Sequence, residues 1–169
     1  MTASARVVVI SDRSSRGERE DRTGPLLLTE LARWGFQEGS ADVVIVPDEE
    51  EEIVRELESA VEAGIGLVLT TGGTGVSPRD VTPEATRRVV AKELPGFGEL
   101  MRRLSQDVTP HACISRALAG TKAATLIVNL PGSPRGAVEC LRMIATPARH
   151  VLDVLRGETM DCAPPEEEG

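Results

Sequence analysis

The densest concentration of groups able to hold a phosphate is the run Thr70-Thr-Gly-Gly-Thr-Gly-Val-Ser-Pro-Arg-Asp-Val-Thr-Pro83. Gly72, Gly73 and Gly75 let the backbone take positive φ and let a ligand approach it closely. Thr70, Thr71, Thr74 and Ser77 add hydroxyls. Successive N–H groups in such a loop form a nest for anionic oxygens, and the helix opened by Pro83 adds its own first amides. A plain strand-to-helix connection needs about two to six residues. The thirteen residues from Thr70 to Thr82 exceed that need, so the segment reads as a binding loop. It is not a Walker loop, which ends in Gly-Lys-Ser/Thr, and Gly73-Thr-Gly75 lacks the third glycine of a dinucleotide fingerprint.

Two carboxylates stand at comparable places. Asp80 closes the Gly-rich loop, and Asp48 follows the strand-like run Val43–Val46. Each precedes a helix, so each has a local explanation as a cap; Asp48 with Glu51 fits a capping box. The alternative is that the pair shares a Mg²⁺ and orients a polyphosphate, since Mg²⁺ takes one or two protein carboxylates plus phosphate oxygens and water. Both readings stand at this level. Ser11-Asp12-Arg13 sits at the end of the first strand, where Arg13, nearest the strand, is the best placed arginine for an anion. The rest of the loop to Gly24 balances its arginines against acids and reads as a solvated surface. Pro131-Gly132-Ser133 leads into a further helix, with Ser133 as N-cap or anion contact.

The elements that position these loops alternate. Strand-like runs are Arg6–Ile10, Val43–Val46, Leu67–Leu69 and Leu126–Val128, with Ala117–Ala119 as a hairpin or offset partner of the last. Helical patterns cover about Pro25–Arg33, Glu49–Ala63, the segment from Pro83 with Thr82 as cap, Phe97–Leu104, the segment from Pro134 and Pro147–Arg156. Ile53, Leu57, Ala60 and Val61 fall on one helical face. Arg6–Ile10 reads as apolar on both faces, as in a buried parallel sheet. The expected fold is a three-layer α/β/α domain with a mostly parallel central sheet, one domain over residues 1–162 with an acidic, disordered tail at 163–169. In such folds ligands sit beyond the carboxyl ends of the strands, where all four loops emerge.

Composition narrows the classes. The 169 residues carry a net charge of −8, two Phe, one Trp and no Tyr. An acidic surface without aromatic platforms argues against nucleic-acid binding. No apolar run approaches the ~20 residues of a membrane helix, and the first residues do not read as an export signal. Cys113, Cys140 and Cys162 are scattered, form no CxxC, and read as small apolar fillers. The cytoplasm is the expected compartment.

Taken in order, Val9-Ile-Ser-Asp-Arg13, Asp21-Arg-Thr-Gly-Pro25, Val46-Pro-Asp48, Leu69-Thr-Thr-Gly-Gly-Thr-Gly75, Arg79-Asp-Val-Thr-Pro-Glu-Ala-Thr86, Pro95-Gly-Phe-Gly-Glu99 and Asn129-Leu-Pro-Gly-Ser-Pro134 resemble the Mog/MoaB family of molybdenum-cofactor biosynthesis, which includes the gephyrin G domain. Ser11-Asp12-Arg13 and Asp80-Val-Thr-Pro83 look more like its Mog branch. The resemblance implies Mg²⁺-dependent adenylylation of molybdopterin by ATP, a homotrimer, and a partner protein that inserts molybdate. It places the two acidic positions on Asp48 and Asp80, the pterin and phosphate loop on Thr71, Gly72, Gly73, Thr74, Gly75 and Ser77, and the opposite wall on Pro131, Gly132 and Ser133. Ser11, Asp12 and Arg13 complete the expected pocket. A non-catalytic molybdopterin carrier and a CinA-type pterin- or nucleotide-binding domain are the competing readings.

Overall fold

The computed structural model describes residues 4–37 and 39–158. The strands are β1 (Ala5–Ile10), β2 (Ala41–Val46), β3 (Leu67–Thr71), β4 (Lys92–Glu93), β5 (Ala119–Lys122) and β6 (Thr125–Leu130). They form one sheet in the order β2-β1-β3-β6-β5-β4. The first four are parallel; β5 runs antiparallel to β6, and β4 antiparallel to β5.

The helices are α1 (Asp12–Ser15), α2 (Thr23–Arg33), α3 (Glu50–Glu62), α4 (Thr82–Val89), α5 (Pro95–Ser105), α6 (Pro134–Met143) and α7 (Ala145–Leu155). Alternate residues of the central strands feed two cores. Val7, Val9, Leu67, Leu69, Leu126 and Val128 pack under α2, α5, α6 and α7. Val8, Ile10, Val68 and Ile127 pack under α3 and α4. Burial on both faces explains why these strands show no apolar alternation. The three-layer α/β/α architecture is as expected.

β1 is followed by β2 on one side and, after α3, by β3 on the other. The chain therefore reverses direction across the sheet between β1 and β3, where α/β sheets open a crevice for ligands. Register brings the strand ends together: Ile10 pairs with Val46, Val9 with Thr71, and Thr71 with Leu130. The segments that follow these residues share one rim.

Several boundaries differ from the sequence reading, each for a local reason. α2 starts at Thr23, not Pro25, because the Asp21 carboxylate accepts from Thr23 N at 2.8 Å and Gly24 N at 3.0 Å. Asp48 is not the cap of α3; the N-cap residue is Glu49, whose side chain makes no capping bond. Thr82 lies within α4 and its hydroxyl donates to Gly72 O at 2.8 Å instead of capping. Ser133 does cap α6, accepting from Gly136 N. β5 and β6 form a hairpin through Ala123-Ala124, with Ala123 at φ +50°. β4 and α1 are short elements with no pattern to announce them. Cys140 is a buried filler but Cys113 is exposed; Cys162 and the acidic tail at 163–169 lie outside the described residues. Among the described residues no helix is long and apolar enough to cross a membrane.

Candidate functional site

The rim beyond β1, β2, β3 and β6 gathers the four loops. Asp12 and Asp48 are bonded reciprocally: Asp12 N donates to Asp48 Oδ2 at 2.7 Å, and Asp48 N donates to Asp12 Oδ1 at 3.0 Å. Arg79 reaches across from the Gly-rich loop, donating to both Asp12 oxygens at 2.8–3.2 Å and to Glu49 at 2.8 Å. Partial desolvation pushes the Asp12 carboxyl up, but the Asp48 N–H and the Arg79 guanidinium outweigh it and hold it below its ordinary range. Asp48 goes the other way. Burial raises its carboxyl, and the neighbouring charges of Asp12 and Asp80 add to the rise. A carboxylate crowded by other acids favours a cation beside it.

The Gly-rich loop is shaped by close approach. Gly72 has φ +107°, and a Cβ there would stand 2.3 Å from Ile10 O, so no other residue fits. Gly73 has φ +62°; its Cβ position lies 2.4 Å from Thr82 Oγ1 and 3.5 Å from Asp48 Oδ1, which places Asp48 against the loop. Asp80 lies across Gly75, and its Oδ2 accepts from Ser77 N at 2.8 Å. Asp48 and Asp80 thus stand against Gly73 and Gly75 of the same loop. The turn after β6 closes the other wall: Thr71 Oγ1 donates to Pro131 O at 2.8 Å, and Gly132 packs on Gly72.

The loop carbonyls are occupied while its amides are not. Gly72 O accepts from Thr82 Oγ1, Gly73 O from Thr82 N, and Thr74 O and Gly75 O from Arg116. Among the described residues, the N–H groups of Gly73, Thr74, Gly75 and Val76 donate to no protein acceptor. Gly73, Thr74 and Gly75 are buried or half-buried, where an amide needs a partner; with the amide of the exposed Val76 they make a run of four, a nest for anionic oxygens.

Beneath the loop a buried polar hub sets its height. Asn129 is fully buried in β6. Its Nδ2 donates to Thr70 Oγ1 at 2.9 Å and Thr86 Oγ1 at 2.8 Å, and Thr86 Oγ1 donates to Thr82 O at 2.9 Å. β6, β3 and α4 are locked together by one amide side chain.

Ser11, Asp12, Asp48, Thr71 to Gly75, Ser77, Asp80 and Pro131 to Ser133 therefore lie on one rim. Arg13 is exposed and does not line the cavity of about 190 Å³ beside Ser11, Thr71, Gly72 and Gly132; Arg19 and Arg22, themselves exposed, line it. The short helix α1 carries Arg13 outward and folds the later arginines back. Arg79, Arg116, Thr82 and Asn129 escaped the sequence reading as site-forming residues. Arg79 had a signal in its adjacency to Asp80. Arg116 had none, being 41 residues from the carbonyl it holds.

The acids can be tested against a divalent cation. Among the described residues no group of three or more His, Cys, Asp or Glu converges as a metal site. Asp48 Oδ1 and Asp80 carry the carboxylate oxygens at the loop. Two carboxylates beside an amide nest do not make a protein cage; they fit Mg²⁺, which completes its shell with phosphate oxygens and water.

A family model described as a probable molybdopterin binding domain matches residues 6–150. The molybdopterin adenylyltransferase of Helicobacter pylori strain J99 is 41% identical over 155 residues, covering 91% of this chain and 88% of that protein. The crystal structure of the molybdopterin biosynthesis enzyme MoaB from Thermus thermophilus is 41% identical with a TM-score of 0.84, covering 94% of this chain and 99% of that one. The Mog protein structure from Mycobacterium ulcerans is 36% identical with a TM-score of 0.86, covering 93% and 99%. A family model spanning most of the chain and relatives of this identity over nearly its whole length lead to one conclusion: this chain belongs to the molybdopterin-binding domain family of molybdenum-cofactor biosynthesis.

Proposed function

We propose that the chain adenylylates molybdopterin. An oxygen of the terminal phosphate of molybdopterin attacks the α-phosphorus of ATP, the bond from that phosphorus to the bridging oxygen of the β-phosphate breaks, and pyrophosphate leaves. Support comes from relatives that carry the name molybdopterin adenylyltransferase. The observation that carries it is that Asp48 stands against Gly73 and Asp80 against Gly75 of one Gly-rich loop at the sheet's switch point.

Such a reaction needs alignment and charge neutralisation more than covalent help. In this reading the amides of Gly73 to Val76 hold phosphate oxygens, with the Thr71, Thr74 and Ser77 hydroxyls nearby. Gly132 and Ser133 shape the facing wall, and Ser11 with Asp12 closes the side nearest β1. Asp48 and Asp80 hold Mg²⁺, which when bound offsets the negative charge of the phosphates. Asp12, fixed by Arg79 and by the Asp48 amide, keeps the Asp48 carboxylate turned to the loop. Arg13, on the exposed surface, is assigned to the outer edge of the substrate site. A homotrimer in the cytoplasm, handing its product to a molybdate-inserting partner, belongs to the same proposal; light scattering tests the subunit count.

The test is pyrophosphate release from ATP, Mg²⁺ and molybdopterin by the native chain, Asp48→Asn and Asp80→Asn. Each variant should lose at least roughly a hundredfold, about 2.7 kcal/mol of barrier. A loss of only two- or threefold for Asp80→Asn would assign Asp80 to the Ser77 turn alone. Tight molybdopterin binding by the native chain without pyrophosphate would select the carrier reading instead.

A further inference from the structure

Arg116 precedes β5 and makes four bonds to one region. Its backbone N donates to Thr74 O at 2.9 Å and its Nε to Gly75 O at 2.6 Å. One guanidinium nitrogen donates to Asp80 O and the other to the Glu84 carboxylate in α4. Only one arm of the fork meets an acid; the rest of the residue serves backbone carbonyls. Arg102 of α5 holds this segment from behind, donating to Ser115 O and Ala117 O, both at 3.1 Å, on either side of Arg116.

A trans peptide has its C=O and N–H on opposite edges, and the described chain contains no cis bond. Fixing the carbonyls of Thr74, Gly75 and Asp80 toward Arg116 therefore turns the N–H groups of Gly75, Val76 and Val81 away from it. Arg116 stands on the β5 side of β3, while β1 and β2, which lead into Asp12 and Asp48, lie on the other side. None of those three N–H groups donates to a protein acceptor among the described residues.

We infer that Arg116 is the positioning residue of the phosphate loop: by drawing three carbonyls to one side it aims the amides of Gly75, Val76 and Val81 at the anion between Asp48 and Asp80. The inference rests on the adenylyl-transfer reading for what the loop binds. Arg116 itself touches no substrate. Its role depends on the planar fork and its fixed angles, so lysine, a point charge with no fork, does not replace it.

The experiment follows the backbone amide resonances of the ¹⁵N-labelled full chain during titration with inorganic pyrophosphate at fixed Mg²⁺, for the native chain, Arg116→Gln and Arg116→Lys. In the native chain the Gly75, Val76 and Val81 amides should shift together. Both variants should lose that joint response and bind pyrophosphate at least about tenfold more weakly, with the remaining resonances still dispersed as in the native fold. A Lys variant within twofold of native, with the same amides responding, would reduce Arg116 to a distant positive charge and overturn the inference. So would a native chain whose three amides ignore pyrophosphate. Should Arg116→Gln not fold, Arg116→Lys is judged alone on the same criterion. If the native amides respond and the variants do not, yet ATP and molybdopterin yield no pyrophosphate, the positioning role stands and the adenylyl-transfer reading falls.

Discussion

Replacing Asn129 with alanine should cost about 3 to 4 kcal/mol of folding stability. Two of its bonds, to the Thr70 and Thr86 hydroxyls, are of good length at 2.9 and 2.8 Å, and each is worth about 1 kcal/mol net. Its Oδ1 accepts from Leu118 N at 3.4 Å; that bond is long, but its loss leaves a buried amide in need of a partner, adding about 1 kcal/mol. The space vacated at a fully buried position adds up to about 1 kcal/mol more. Urea denaturation at pH 7 measures the total, provided the slope with denaturant is unchanged. The assay becomes specific in a double-mutant cycle with Thr70→Val, where the coupling should be about 1 kcal/mol because the two residues share one bond. A total loss under 1 kcal/mol, or a coupling of zero, would refute the claim that this amide holds β6, β3 and α4 in place.

Two further outcomes follow from the loop and its acids. Gly72→Ala should destabilise by about 3 kcal/mol, since φ +107° and a 2.3 Å approach to Ile10 O force the backbone to move, whereas Gly17→Ala, at φ +72° in open space, should cost only about 1 kcal/mol; denaturant melts of both separate the two costs. Asp48 has its folded pKa raised above the ordinary 3.8, so the stability it contributes is complete below that value and is lost as pH rises through the folded value. Asp48→Asn should therefore be more stable than the native chain at pH 7, with the advantage fading as pH falls through the raised folded value and gone below about 4. A variant less stable than native at pH 7 would mean that the acidic crowding at Asp48 is relieved in the folded chain.

Much of the fold was legible because it depends on patterns local in the chain. β1, β3 and β6 are continuous apolar runs, and α3 carries its buried Ile53, Leu57 and Ala60 at helical spacing. The Gly-rich loop stood out through its length and composition alone. Boundaries were less legible where a side chain outside the helix sets them, as Asp21 does for α2. The same limit separates Asp48 from the cap it resembled. Its partner is the backbone of Asp12, 36 residues away, and a carboxylate before a helix looks the same in sequence whichever amide it chooses.

By itself the sequence determined the layers, the strand ends and which residue types would stand at them, because hydrophobic period and glycine content act within a few residues. Tertiary structure alone decided that Arg19 and Arg22, not Arg13, line the cavity beside Ser11, that Arg79 ties Asp12 to Glu49, and that Arg116 gathers the loop's carbonyls. The reason is physical: an arginine has a long reach and several donors, so its partners are chosen by whichever acceptors the folded chain brings within about 3 Å, and nothing in its neighbours along the chain records that choice.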